Sequence, residues 1–207
     1  VTSIGGSAFN TALSLSSITI PESVITIEDW AFYLCRSLKS VNIPDSVTSI
    51  GNNVFQFCSS LENVTIGKSL KSIPGSAFLS CRNLVSVGIP DSVTSIGPFS
   101  FYNCWSLSSV IIPDSVKTIG ENAFKNTSLI SIVLPRSEVS LGANVFVDCR
   151  KLTYVTFTSP SIKFDGAIFS GSSVETRNIH YDKALVTEGE TELGDIMPLQ
   201  CLDDGMG

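Results

Sequence analysis

A fixed 23-residue step runs through this chain: Val1, Val24, Val47, Leu70, Val93 and Val116 stand at equal intervals, as do Phe9, Phe32, Phe55, Phe78, Phe101 and Phe124. Such a period restricts the fold to an array, because one unit cannot bury its own apolar face and must stack on a copy of itself. The unit starting at Val47 reads Val47-Thr48-Ser49-Ile50-Gly51-Asn52-Asn53-Val54-Phe55-Gln56-Phe57-Cys58-Ser59-Ser60-Leu61-Glu62-Asn63-Val64-Thr65-Ile66, then a turn triplet. The Phe column continues at Phe146 and Phe169, and the 22-residue step from Phe124 to Phe146 locates a single deletion. It falls in Phe124-Lys125-Asn126-Thr127-Ser128-Leu129, one residue shorter than Phe101-Tyr102-Asn103-Cys104-Trp105-Ser106-Leu107. A last, degraded unit holds Phe164, Phe169, Val174 and Ile179, with Arg177 where a core aliphatic belongs.

Each unit has three physical parts. Leu61-x-x-Val64-x-Ile66 ends in alternation and predicts a short strand with Val64 and Ile66 inward and Asn63 and Thr65 outward. Pro44-Asp45-Ser46, Pro90-Asp91-Ser92 and Pro113-Asp114-Ser115 are turn triplets, combining a fixed φ with side chains that bond nearby backbone. Val47-x-x-Ile50-Gly51 opens a second extended piece that leads into Asn52–Cys58, where Phe55 and Cys58 share one face of a single helical or 3-10 turn. Stacked in register at about 4.8 Å per coil, these units predict a solenoid with a parallel β-sheet on one face. About 7.5 repeats of 22–23 residues occupy residues 1–180, and an acidic, non-repeating segment, a cap or tail, occupies 181–207. Val1 falls inside a repeat with no N-terminal cap before it, so the chain reads as a segment of a longer one.

Charge narrows the partners. Residues 1–180 carry 12 acidic and 12 basic side chains, whereas 181–207 carry 7 acidic and 1 basic. A neutral body with an acidic end offers no broad basic surface for phosphates, which argues against nucleic acid and anionic membrane. Every apolar run is broken within a few residues by Ser, Thr, Asn, Pro or Gly, so no membrane insertion is expected of this segment.

Cys35, Cys58, Cys81, Cys104 and Cys149 mimic a metal or disulfide set, but they share one repeat position with Ala12, Thr127 and Ser172, as a small core site tolerates. They are read as a reduced ladder beside Phe32, Phe55, Phe78, Phe101, Phe124 and Phe146. The one histidine is His180, past the last clear strand, and no Cys-x-x-Cys pair, phosphate loop or nucleophile elbow occurs. No metal site, cofactor or catalytic residue is therefore assigned. The column Glu22, Asp45, Lys68, Asp91, Asp114 and Arg136 is read as turn chemistry rather than a calcium row, because a lysine interrupts it. Asn63-Val64-Thr65 and Asn126-Thr127-Ser128 fit the glycosylation pattern, Asn126 being the better candidate.

The phrase Ile43-Pro44-Asp45-Ser46-Val47-Thr48-Ser49-Ile50-Gly51, with x-x-Val54-Phe55-x-x-Cys58-x-x-Leu61-x-x-Val64-x-Ile66, resembles the BspA-like leucine-rich repeat family, and it recurs from Ile89 and from Ile112. The resemblance covers residues 1–180 and implies a leucine-rich-repeat solenoid of a cell-surface or secreted protein, often an adhesin that binds host matrix proteins or other cells. It implies no catalytic residues.

Outward strand positions are rich in Ser, Thr and Asn and almost free of charge. The pattern breaks at Ile111, Ile130, Val133 and Tyr154, where neighbouring coils present apolar groups together, with Ser86, Ser109 and Ser131 around them. An apolar cluster containing an aromatic marks a contact site. The expected function is thus a recognition module that binds a protein, or a glycan, on the strand face. The alternative is a structural subunit held in a larger assembly through its open solenoid ends.

Overall fold

The computed structural model describes residues 1–159, 162–164, 167–175 and 178–181. Expectations about Arg177 and residues 182–207, including the capping role of the acidic segment, lie outside the described residues. The coils stack as the period requires, and each after the first contributes one strand to each of two faces.

On the first face lie β3 (Ser40–Ile43), β5 (Asn63–Ile66), β7 (Ser86–Gly88) and β9 (Ser109–Ile111), followed by β11 (Ser131–Val133), β13 (Tyr154–Phe157) and β15 (Ile179–Tyr181). All pairings are parallel and in repeat register, as in Val41 with Val64 and Val64 with Val87. The ladder is interrupted between β9 and β11, where the one-residue deletion shortens the chain entering β11. His180, expected past the last strand, lies within β15 opposite Thr156. It follows the inward Ile179, so alternation turns it outward.

The second extended piece also forms sheet. One part is β1 (Ser3–Ile4), β2 (Thr26–Ile27) and β4 (Ser49–Ile50); the other is β6 (Ser72–Ile73), β8 (Ser95–Ile96), β10 (Thr118–Ile119), β12 (Val139–Leu141) and β14 (Ile162–Phe164). The break between β4 and β6 has a local cause. Gly51, Gly97 and Gly120 each donate an N–H back to the isoleucine of the preceding coil, but the equivalent residue after β6 is Pro74, which has no N–H. At Gly120 an added Cβ would sit 2.5 Å from Pro98 N, so the coils approach too closely there for any side chain.

The arc between the second face and the first contains no α-helix among the described residues. It is a chain of turns with two left-handed residues per coil, four apart: Trp30 and Leu34, Asn53 and Phe57, Ser76 and Ser80, Phe99 and Asn103, Asn122 and Asn126, Asn144 and Asp148. A helical turn would direct every N–H back along its own coil. Here each left-handed residue, and the Phe between the two, instead donates to a carbonyl of the next coil, as Asn53 does to Gly75, Phe55 to Ala77 and Phe57 to Leu79. The left-handed φ costs a non-glycine residue about 1–2 kcal/mol; the forward bond holds even Trp30 and Phe57 there.

The core inside these three sides is a set of ladders. Phe32, Phe55, Phe78, Phe101, Phe124 and Phe146 are fully buried. With Phe9 and Phe169 they stack with centroids 5.1–5.7 Å apart and planes within 12° of parallel, an offset arrangement that aromatic rings favour. Each ladder cysteine donates its thiol to the Phe carbonyl of the coil before, as Cys58 does to Phe32 and Cys81 to Phe55, at 3.1 Å. Thr127 fills the position in the shortened coil and lies 3.2 Å from Cys149 Sγ. Burial pushes the Cys81, Cys104 and Cys149 thiols up, and a bond shared with Cys35, together with burial, does the same to Cys58.

Candidate partner-binding surface

The outward face of the first sheet is built by strand alternation. In β9 and β11 the central residue is buried and its neighbours are exposed, so Ser109 and Ile111, then Ser131 and Val133, project from the same side. Register places Gly88 beside Ile111, Ser86 beside Ser109, Ser131 beside Tyr154 and Val133 beside Thr156. Tyr154 is therefore diagonal to Val133, within reach of a long side chain.

These positions are among the exposed large apolar side chains of the described residues, which also include Val1, Leu13, Ile25, Trp30 and Trp105 elsewhere. Ile111 is 74% exposed, Val133 55%, Ile130 53% and Tyr154 50%. Ile130 stands one residue before β11, at the entrance to the strand. Ser86, Ser109 and Ser131 are exposed around the group. Two members escaped the sequence reading. The His180 ring stacks on Tyr154 at 6.2 Å and 17°, and the signal for it was its place after the inward Ile179. Val85, half exposed, stands before β7 as Ile130 stands before β11.

The remaining candidates serve the coils. Asp45 Oδ1 accepts the Lys68 N–H at 2.7 Å and Asp114 Oδ1 the Arg136 N–H at 2.8 Å, each reaching one coil forward. The adjacent serines reach one coil back: Ser46 and Ser115 donate to Val24 O and Val93 O at 2.7 Å. Asp45 and Asp114 thus each spend a carboxylate oxygen on backbone. Among the described residues no group of three or more His, Cys, Asp or Glu could hold a metal ion. No described helix is long and apolar enough to cross a membrane. Asn63 is exposed in β5, while Asn126 Nδ2 donates to Asn103 Oδ1 at 2.8 Å.

A family model described as the BspA type leucine-rich repeat region matches residues 1–97 and 71–188 in six copies. Solved structures agree. A leucine-rich repeat protein of T. pallidum is 30% identical, with TM-score 0.73 over 79% of each chain. A leucine rich cell surface protein of Faecalibacterium prausnitzii is 40% identical, with TM-score 0.71, over 77% of this chain and 43% of its own. A leucine-rich repeat protein of Eubacterium ventriosum is 27% identical with TM-score 0.66, over 92% of this chain and 44% of its own. This chain thus spans less than half the length of the last two. No curated protein matches it.

Proposed function

The chain belongs to the BspA-type leucine-rich repeat family, and from that premise we propose that it is a non-catalytic recognition module of a cell-surface or secreted protein, binding a protein partner on the outward face of its first sheet. The observation that carries this reading is the exposed group Ile111, Ile130, Val133 and Tyr154, with Val85 and His180 beside it, on a face whose other outward strand positions are mostly Ser, Thr and Asn. Exposed apolar side chains gathered on a rigid surface gain most from being covered by a partner, and Tyr154 adds a hydroxyl to a large ring. Ladder bonds hold β9 to β7 and β11 to β13 on either side of the interruption, and the Ile130 N–H donates to Ser108 O across it, so little ordering cost is expected on binding.

The test is a triple variant, Ile111→Ser, Val133→Ser and Tyr154→Ser, presented with the parent chain to purified extracellular-matrix proteins on a biosensor. Each lost anchor costs roughly 1–2 kcal/mol, so the three together weaken capture by about 100-fold or more. Because all three side chains point outward, melting should stay within about 0.5 kcal/mol of the parent for each. Equal capture by the parent and by a triple variant of unchanged stability would reject this face.

A further inference from the structure

The edge where the turn arc runs into the first sheet carries one column, the residue after each ladder cysteine: exposed Arg36, Arg82, Trp105 and, past the shortened coil, Arg150, with Ser59 half-buried among them. The deletion removes one residue from the sixth coil, where Thr127 takes the cysteine position and Ser128 leads straight into Leu129. The column therefore has a gap. Thr127 is buried and Ser128 half-buried at its floor, with Trp105 on one wall and Arg150 on the other. The recess is about 400 Å³ and is also lined by Asn126, Asp148 and Lys151.

Its walls have a defined polarity. Arg82 lies over one face of the Trp105 indole, 4.3 Å from the ring centre. Arg82 belongs to the coil before Trp105 and the recess to the two coils after it, so the opposite indole face looks into the gap. Two coil rises separate Trp105 from Arg150, roughly 10 Å. A single ring touching both walls needs about 3.5–4.0 Å on each side. One ring fits, and two do not.

The chemistry of the occupant follows from what the recess rejects. The lining carries both signs of charge: an anion drawn to Arg150 and Lys151 would also meet Asp148 and the electron-rich indole face, and a cation drawn to Asp148 would meet Arg150 and Lys151. An aliphatic side chain would leave Asp148, Arg150 and Asn126 facing apolar surface without replacing their water. A neutral ring with C–H bonds on one face and hydroxyls on its rim suits every wall: its C–H face covers the indole, and adjacent hydroxyls donate to Asp148 and accept from Arg150. We infer that this notch is a carbohydrate-binding site that seats one uncharged pyranose residue against Trp105. It lies on a different side of the coil from the proposed protein-binding face and does not depend on it.

The full chain contains two tryptophans, so in a Trp30→Phe background Trp105 emission reports the notch alone. Titration with lactose and with cellobiose should give a saturable change with at least one of them in the millimolar range. Glucosamine and glucose 6-phosphate should act at least tenfold more weakly. Two alterations should each weaken the sugar tenfold or more at unchanged melting temperature: Arg150→Ala, and a serine inserted after Thr127 to restore the missing residue. If the insertion does not fold, Arg150→Ala carries the test. Saturation by neither sugar, tighter binding of a charged probe, or binding unchanged by Arg150→Ala would each overturn the assignment. The triple strand-face variant should bind sugar like the parent, which separates failure of one site from failure of the other.

Discussion

Replacing Phe78 by alanine tests how the coils hold each other. Phe78 is fully buried in the middle of the ladder, with ring neighbours at 5.5 Å in Phe55 and 5.3 Å in Phe101. A core Phe→Ala change costs about 3–5 kcal/mol, and the two lost ring contacts, each about 0.5–1.5 kcal/mol, put it at the upper end of that range. For a chain of this size each kcal/mol moves melting by about 2–4 °C, so a cost near the upper end gives a fall of about 10–20 °C. Phe9→Ala is the internal comparison: Phe9 is only half-buried and stacks on Phe32 alone, so its cost should stay below about 3 kcal/mol. Thermal unfolding by circular dichroism, with urea titration for the free energies, measures both. Equal losses at the two positions, or a Phe78→Ala melt no lower than that of a surface control, would refute the ladder as the source of coil-to-coil stability.

Two further outcomes are expected. The Cys58, Cys81, Cys104 and Cys149 thiols are raised above the ordinary 9.0, so the unfolded chain loses these protons first and folding stability is full below pH 9. It then falls as pH climbs toward the folded values, by up to about 1.4 kcal/mol per thiol at pH 10. Urea titrations at pH 8 and pH 10 should show the drop, and a variant with alanine at all four positions should flatten it; an equal drop in both would assign it to other groups. At Ser76, held at φ 56, Ser76→Gly should be neutral or stabilising by up to about 1 kcal/mol, because glycine avoids the left-handed penalty of about 1–2 kcal/mol. Ser76→Val should destabilise by more than about 1 kcal/mol, and the reverse order in urea titration would mean the turn is not left-handed.

Much of this architecture was legible in the residues because period and burial are the same fact here. The Phe and Cys columns must be inward wherever coils stack in register, and the outward Ile111, Val133 and Tyr154 follow from strand alternation once Val110, Ile132 and Val155 are inward. The left-handed backbone of the turn arc was not legible. Phe55 and Cys58 stand three apart, as on a helix, and a Cys58 N–H to Phe55 O bond does form. What breaks the helix is the left-handed backbone at Asn53 and Phe57, and no composition marks it, since Trp30, Leu34 and Phe99 share that conformation with the expected asparagines. Nor does periodicity report interruptions of the sheets. Pro74 breaks one ladder only because its glycine counterparts donate across coils, a bond visible only once they are stacked. His180 joined the candidate surface for a similar reason, through ring stacking across two strands. The notch beside Trp105 was present in the sequence as a missing residue, but its meaning depends on which walls the gap separates.

The claim that recognition occurs on the first sheet is tested most directly by placing a photoreactive benzoylphenylalanine at single positions on the two sheets. Val133 lies on the first sheet, and Lys117, exposed just before β10, lies on the second. Irradiation in the presence of a matrix protein captured by the parent chain should give a crosslinked species from position 133 and none from position 117. Crosslinking from position 117 alone would place the partner on the second sheet and contradict the account.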